Sequence, residues 1–407
     1  MNTTVVVTGM GVISGLGLNS QSFQTALFDG VDSVADLNLF DPDRVKSRRV
    51  AQAWGYLPEE YFSEKELPFY DRYAQFAVIS AREAIAQAGL VFRDTPLADR
   101  SAILFGTGVG GQDTQDYTYQ RLYLEGAARL HPFTTPKLIP SSAASLISLD
   151  SGITGPVMGI TSACSSSGHA VAQAVMMLKS DIIDVAIVGG AEAPITFGGV
   201  KAWEGMRVLA KDCCRPFSSK RGGTILGEGG ASLVLETLEH AQERGANILA
   251  EVVGVGMSSD AFHAVQPSVT GPTAAMRNAL KNAKLQASSI DYINAHGTGT
   301  NQNDSTETAA IRAVFGTHAD TLAVSSSKSM HAHTLGAASA IEAVATICAL
   351  QAQIAPATIN YQSPDPLCDL DYVTNHARPM PIAYALSNSF AFGGLNVSLI
   401  FSPHKAD

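Results

Sequence analysis

Cys164 lies in ITSACSSSGHAVAQA, where an apolar run gives way to small residues and then to a helix-forming run. That order predicts a strand–helix elbow with the thiol near the helix N-terminus. There the helix dipole and free N–H groups favour the reactive thiolate, lowering the pKa from its usual value of about 8.5. Ala163, Ser165 and Ser166 are small enough to leave room for a substrate. Most free thiols are plain core, so the elbow needs partners to mean more. His296 sits in NAHGTGTNQND, a tight polar loop after a predicted strand, where the Thr298 and Thr300 hydroxyls can bind a polar ligand arm. His333 sits in SSKSMHAHTLGAASAIEA, with Lys328 five residues before it and Glu342 nine after it. His331 and His333 have metal-like spacing, but no carboxylate or cysteine cluster accompanies them, so no metal is expected. Near the end of the chain, SNSFAFGGLNVSLIF combines Phe390, Phe392 and a glycine pair that lets the backbone turn sharply or approach a ligand. The glycines of TGMGVISGLG miss the G-x-G-x-x-G spacing and no Walker A sequence is present, which argues against a nucleotide loop.

These residues need elements to hold them. Residues 3–8 read as a buried strand, 72–89 as an amphipathic helix ended by Gly89, and 103–108 as a further strand. Around 160–191 an elbow, a helix and the strand DVAIVGG form one unit, and the alternation of strand and helix predicts an α/β class. The pattern then returns. AEVVGVGMSS (250–259) echoes VVVTGMGVIS, YINAHGTGT (292–300) echoes ILFGTGVGG (103–111), and residues 322–347 echo the unit around Cys164. The expectation is two duplicated βαβ-type halves, 1–250 and 251–407, packed without a long linker.

Composition narrows the class. Hydrophobic residues make up 46% of the 407 and charged residues only 16%, against about 25% in an ordinary soluble protein. Such a chain is not disordered, and the sparse charge predicts a large subunit interface. A net charge of −10 argues against bulk nucleic-acid binding. Five cysteines, odd in number, irregular in spacing and without CxxC, fit neither a disulfide framework nor a zinc site, so a reducing cytoplasm is expected. No Lys or Arg precedes Arg44, unlike the basic start of a signal peptide, and no run of 18 apolar residues predicts a membrane span.

Taken together, the segments resemble the β-ketoacyl-[acyl carrier protein] synthases of the thiolase-like superfamily, the elongating type II enzymes above all. The shared order is the Cys164 elbow, HGTGT, K-x4-H-x-x-G-A-A and F-x-F-G-G-x-N, with GITGP, VGGAEAP, RPF and LGEGGASLVLE between them, over essentially the whole chain. The resemblance implies a thiolase-like α/β/α/β/α sandwich. It implies that Cys164 carries the acyl group as a thioester and that His296 and His333 promote decarboxylation of malonyl-carrier. Lys328 and Glu342 would support the histidines. Phe392 would be the gate, its N–H joining that of Cys164 in an oxyanion hole. Thr298 and Thr300 would bind the phosphopantetheine arm, Phe390 and Asn396 would contact substrate, Val109 would line the acyl channel near a dimer interface, and Arg207 would dock the carrier.

The implied reaction is a decarboxylative Claisen condensation giving 3-oxoacyl-[acyl carrier protein], with no cofactor beyond the phosphopantetheine that the carrier bears. The implied partners are an acyl carrier protein and a second subunit, either identical or a paralogous ketosynthase-like chain; neither nucleic acid nor membrane is expected. A thiolase would need a second cysteine in 386–401, which has none, and a non-condensing chain-length subunit would lack Cys164. Ala332, Ser339 and Ala391 stand where the family usually has glycine, Leu395 where it has threonine, and 62–72 is poor in bases. These departures favour specialised polyketide or polyene synthesis over fatty-acid synthesis. His331 has no counterpart and is expected to tolerate alanine.

Overall fold

A computed structural model describes residues 3–404. Its main sheet has eleven strands: β1 (Val5–Ser14), β2 (Ser101–Gly106), β3 (Val157–Ile160), β4 (Val185–Glu192), β5 (Gly229–Thr237), β6 (Ala250–Ser259), β7 (Tyr292–Asn294), β8 (Ala323–Ser325), β9 (Asp371–Tyr372), β10 (Ala385–Ala391) and β11 (Leu395–Ser402). They run in the order β9-β8-β7-β10-β11-β6-β1-β5-β4-β2-β3. The centre is a narrow seam: β1 and β6 are antiparallel and pair only through Val6 with Glu251 and Val7 with Ala250.

Outward from this seam the two sides repeat. β5 lies antiparallel on β1 and β4 antiparallel on β5, followed by the parallel β2 and β3. On the other side β11 lies antiparallel on β6 and β10 antiparallel on β11, followed by the parallel β7 and β8. The segments that echo one another in sequence therefore occupy matching places. β1 is buried along all of its length, which is why it reads as a continuous apolar run rather than an alternating one.

Five helices complete the layers. α1 (Arg72–Ala88) starts at Asp71, whose side chain accepts from Tyr73 N–H, and stops at Gly89 with φ 67°. The others are α2 (Ser166–Lys179), α3 (Thr270–Ala283), α4 (Asn301–Phe315) and α5 (Ala338–Ala352). α1 packs on β1, β5 and β4, while α3 packs on β6 and β11 with α4 behind it. α2 and α5 lie between and touch strands of both halves. The result is the five-layer α/β/α/β/α sandwich.

The middle layer explains the sparse charge. Val171 and Val175 of α2 and Ile341, Val344 and Ile347 of α5 join Val5, Val7 and Val397 in one buried cluster. A helix buried all round has no polar face. The stretch Leu335–Ala352, though interrupted by Ser339, Glu342, Thr346 and Gln351, is by length and mean hydropathy apolar enough to cross a membrane, but 89% of it is buried inside the fold.

Candidate active site

β3 delivers the chain to the elbow. Ala163 takes φ 52°, in the left-handed region, and Cys164 sits in the 3-10 turn Ala163–Ser165 that runs straight into α2. The small polar neighbours tie the turn down. Ser166 Oγ accepts from Ser162 N–H at 2.9 Å, and Ser165 Oγ donates to the Leu395 carbonyl at 2.9 Å. The thiol itself is buried, and burial pushes its pKa up to about 12, outweighing the opposite pulls of the Lys328 ammonium and the Phe392 N–H. Burial thus opposes the thiolate that the helix N-terminus favours. His333 Nε2 lies 3.1 Å from its Sγ.

The histidine rings meet edge to face, 5.5 Å between centroids and 84° apart. His296 follows β7 in a loop that α4 holds from below: Glu307 accepts from the N–H groups of His296 and Gly297, both at 2.8 Å. A Cβ at Gly297 would lie 2.5 Å from Ser326 Cβ, so this turn requires glycine. Lys328 Nζ donates to the His296 carbonyl at 2.6 Å, lies 3.3 Å from its Nδ1 and pairs with Glu342 of α5, with both partners of that ion pair fully buried. An ammonium facing Nδ1 makes that nitrogen the acceptor and leaves the ring proton on Nε2. Burial first, then Lys328, then a neighbouring histidine hold both imidazoles well below the ordinary histidine value, so both are neutral and each carries one N–H. His333 is pinned by backbone bonds: its N–H donates to Ile225 O and its carbonyl accepts from Gly227 N–H, each at 2.9 Å. Ala332 before it takes φ 59°, the backbone that glycine usually fills.

Gly393 (φ 78°) and Gly394 (φ 70°) turn the chain so that Phe392 reaches the thiol, and its ring stacks on Trp203 at 5.9 Å. A cavity of about 520 Å³ opens from Cys164, His296, His333, Phe390 and Phe392 past Thr298 and Thr300 to a mouth at Arg207. The Thr298 and Thr300 hydroxyls are 3.0 Å apart.

Two expected substrate contacts fall elsewhere. Asn396 does not line this cavity; its Nδ2 donates to Asp260 Oδ1 at 2.7 Å and to Gly394 O at 3.0 Å, bracing the glycine turn. Val109 lies outside the cavity, 45% exposed on the single chain. Among the described residues no group of three or more His, Cys, Asp or Glu could hold a metal ion.

The sequence reading also missed residues. Glu307 and Trp203 act from other elements, and nothing in their local pattern marks them. Glu192 is different: it is the lone charge ending the apolar run of β4. It accepts from Thr107 Oγ1, Val109 N–H and Gly336 N–H at 3.0, 3.1 and 2.9 Å, clamping turns from both halves of the chain. His331, expected to tolerate alanine in activity, also has a structural part. It is fully buried with Nε2 2.9 Å from Ser327 Oγ. His331→Ala is therefore expected to lower stability by about 1–3 kcal/mol through the emptied volume and the lost bond, read as an earlier urea midpoint, although the ring is absent from the cavity.

This arrangement has known counterparts. Residues 2–241 match the β-ketoacyl synthase N-terminal domain, and residues 249–362 match the β-ketoacyl synthase C-terminal domain. The chain belongs to the β-ketoacyl synthase family. This synthase is 46% identical over 401 residues to nodulation protein E of Rhizobium sp. (strain N33), covering 98% of this chain and 99% of that one. It is 37% identical over 413 residues to 3-oxoacyl-[acyl-carrier-protein] synthase 2 of Staphylococcus aureus (strain N315), covering 100% and 99%. Among solved structures it is similar to the ishigamide ketosynthase/chain length factor, with TM-score 0.94, 31% identity and full coverage of both chains. The synthase is thus a condensing enzyme of the acyltransferase class, in fatty-acid or polyketide-like synthesis, with a thiolase-like fold. Ketosynthases use no cofactor beyond the phosphopantetheine on the carrier.

Proposed function

We propose that this synthase joins an acyl group held on Cys164 to malonyl-[acyl carrier protein], releasing CO2 and 3-oxoacyl-[acyl carrier protein]. One observation carries the reading: a buried thiol lies 3.1 Å from one neutral imidazole, with a second imidazole packed edge-on behind it, at the closed end of a cavity. In the first half-reaction the thiol proton passes to His333 Nε2 as sulfur attacks the acyl-carrier thioester. The phosphopantetheine thiolate leaves and takes up that proton. In the second, the Nε2–H of His296 holds the malonyl thioester oxygen, joined by His333 once its ring has exchanged to the Nε2–H tautomer, while the C–C bond to the carboxylate breaks. The electron pair released forms an enolate, whose carbon attacks the acyl-Cys164 carbonyl. The N–H groups of Cys164 and Phe392 hold the resulting oxyanion until the thiolate is expelled. Donors preset for such charge are worth about 3–4 kcal/mol each. Thr298 and Thr300 would bind the pantetheine arm, and Arg207 at the mouth would meet an acidic carrier. Mixing the enzyme with a panel of acyl-carriers and reading intact mass tests the proposal: acyl increments on the chain support it, and none with any carrier overturns it.

The departures at Ala332, Ser339, Ala391 and Leu395 favour a specialised polyketide or polyene substrate. A second subunit, identical or paralogous, would cover the free edge of β3, where Met158 is exposed. The five unpaired thiols suit a reducing cytoplasm. A non-condensing chain-length role is disfavoured by the intact Cys164 and its histidines.

The 109–111 turn packs on Leu138 and Pro140, and Pro140 packs on Gly159 of β3, so Val109 stands beside that free edge. There the acyl channel would be completed between subunits. Val109→Phe is expected to slow loading of long or polyenoyl chains while sparing acetyl and butyryl, because a ring excludes chains sterically. Loading rates across chain lengths beside a melting curve decide it: equal loss at every length rejects the channel role.

A further inference from the structure

Ser339 is the second residue of α5 and is 2% exposed. Its hydroxyl donates to Ser389 Oγ of β10 at 2.7 Å. Ser389 Oγ in turn lies 3.5 Å from Glu342 Oε2, while the other oxygen of that carboxylate holds Lys328. Lys328 is the residue that fixes the His296 carbonyl and faces its Nδ1. On its other side, Ser339 Oγ lies 3.4 Å from the carbonyl of Cys164. The hydroxyl therefore sits between the nucleophile turn and the histidine supports. A Cβ at Gly168 would lie 3.2 Å from Ser339 Cβ, so α2 leaves no space for a larger residue at 168 beside this serine.

We propose that Ser339 is a positioning residue for the His296–Lys328–Glu342 network, acting through the Ser389 hydroxyl. This rests on the proposed condensing function. Each serine hydroxyl has one proton to give. With Glu342 ionised, the chain runs from Ser339 to Ser389 to the carboxylate, and each bond polarises the next. With Glu342 protonated the direction reverses: the carboxyl donates to Ser389, Ser389 to Ser339, and the Ser339 proton turns to the Cys164 carbonyl. The serine pair thus supports the ionised carboxylate that anchors Lys328, and a glycine at 339 could make neither bond. The titratable groups facing Glu342 are Lys328 from the 328–331 helix, Tyr292 from β7 and Cys164 from the elbow, with His296 beyond Lys328. Burial pushes the Glu342 carboxyl up to about 7, against the pulls of Lys328 and Ser389. Tyr292 is driven up by its own burial and Cys164 reaches about 12, so neither changes charge in that range. Losing a donor to a carboxylate raises its pKa.

The experiment measures CO2 release from malonyl-carrier against pH for the full-length enzyme, Ser339→Gly, Ser339→Ala, Ser389→Ala and the Ser339→Ala/Ser389→Ala double variant, with a melting curve for each. The acid limb is expected to move to higher pH by about half a unit in each single variant, a roughly threefold lower rate at fixed pH on that limb, and no further in the double variant. Profiles that superimpose on the wild type, or shifts that add in the double variant, overturn the inference. If Ser339→Ala does not fold, the Gly and Ser389 variants decide by the same criterion. If the wild type itself releases no CO2, the condensing function fails and this inference falls with it; a wild type that turns over beside unmoved variants condemns only the role of Ser339.

Discussion

Cys164→Ala is expected to abolish condensation, by on the order of 10⁴-fold or more, and to remove every acyl mass increment from the chain. The substitution removes the sulfur and little else. The Ala163 turn, the Ser165 bond to the Leu395 carbonyl and the Ser162–Ser166 bond all involve other side chains and remain. A buried thiol exchanged for a methyl group should cost only about 1 kcal/mol of stability, so the melting curve stays close to that of the wild type. Loss of turnover then reports the nucleophile and not the fold. An acyl increment that persists on the alanine variant would falsify the assignment, and Cys213, the one half-exposed cysteine, is where to look for the modified sulfur.

The histidine variants should separate the two half-reactions, and unequally. His333 Nε2 is within 3.1 Å of a thiol whose pKa burial has raised to about 12, so the sulfur depends on a neighbouring base to lose its proton. His296 makes no such contact; its ring meets His333, and its supports are Lys328 and Glu307. His296→Ala is therefore expected to load acyl groups at close to the wild-type rate while CO2 release from malonyl-carrier falls about 10²–10³-fold, the usual effect of one lost oxyanion donor. His333→Ala should slow both steps, because general-base help is worth about 10²–10⁴-fold in its own right. This departs from the sequence-based expectation that the His333 alanine variant still loads acyl groups and fails only at CO2 release. Loading by intact mass and CO2 release by a labelled carboxyl are the two readings. Equal losses of both steps in the His296 variant would reject this division of labour.

Much of this protein was legible in its residues. The repeats of strand and elbow at 250–259, 292–300 and 322–347 foretold a duplicated topology, and the strands that carry them sit at matching distances from the β1–β6 seam. Local patterning decides these features, because an apolar run, a small-residue elbow and a following helix are satisfied by contacts close in sequence. Cys164, His296 and His333 were also marked by their loops, where glycines and small hydroxyl residues have no core role to explain them.

Electrostatics and distant bracing were decided only by the tertiary structure. Sequence alone points to a low thiol pKa from the helix N-terminus, while burial in the folded layers pushes it the other way. Asn396 shares a motif with Phe392 but turns to Asp260, 136 residues away, and Glu307 clamps a turn that its own segment gives no hint of. Val109 lies outside the cavity, which its place in a glycine turn does not reveal. Desolvation and hydrogen bonding depend on what else is packed within a few ångströms, and that is a property of the folded layers, which no spacing of residues along the chain records.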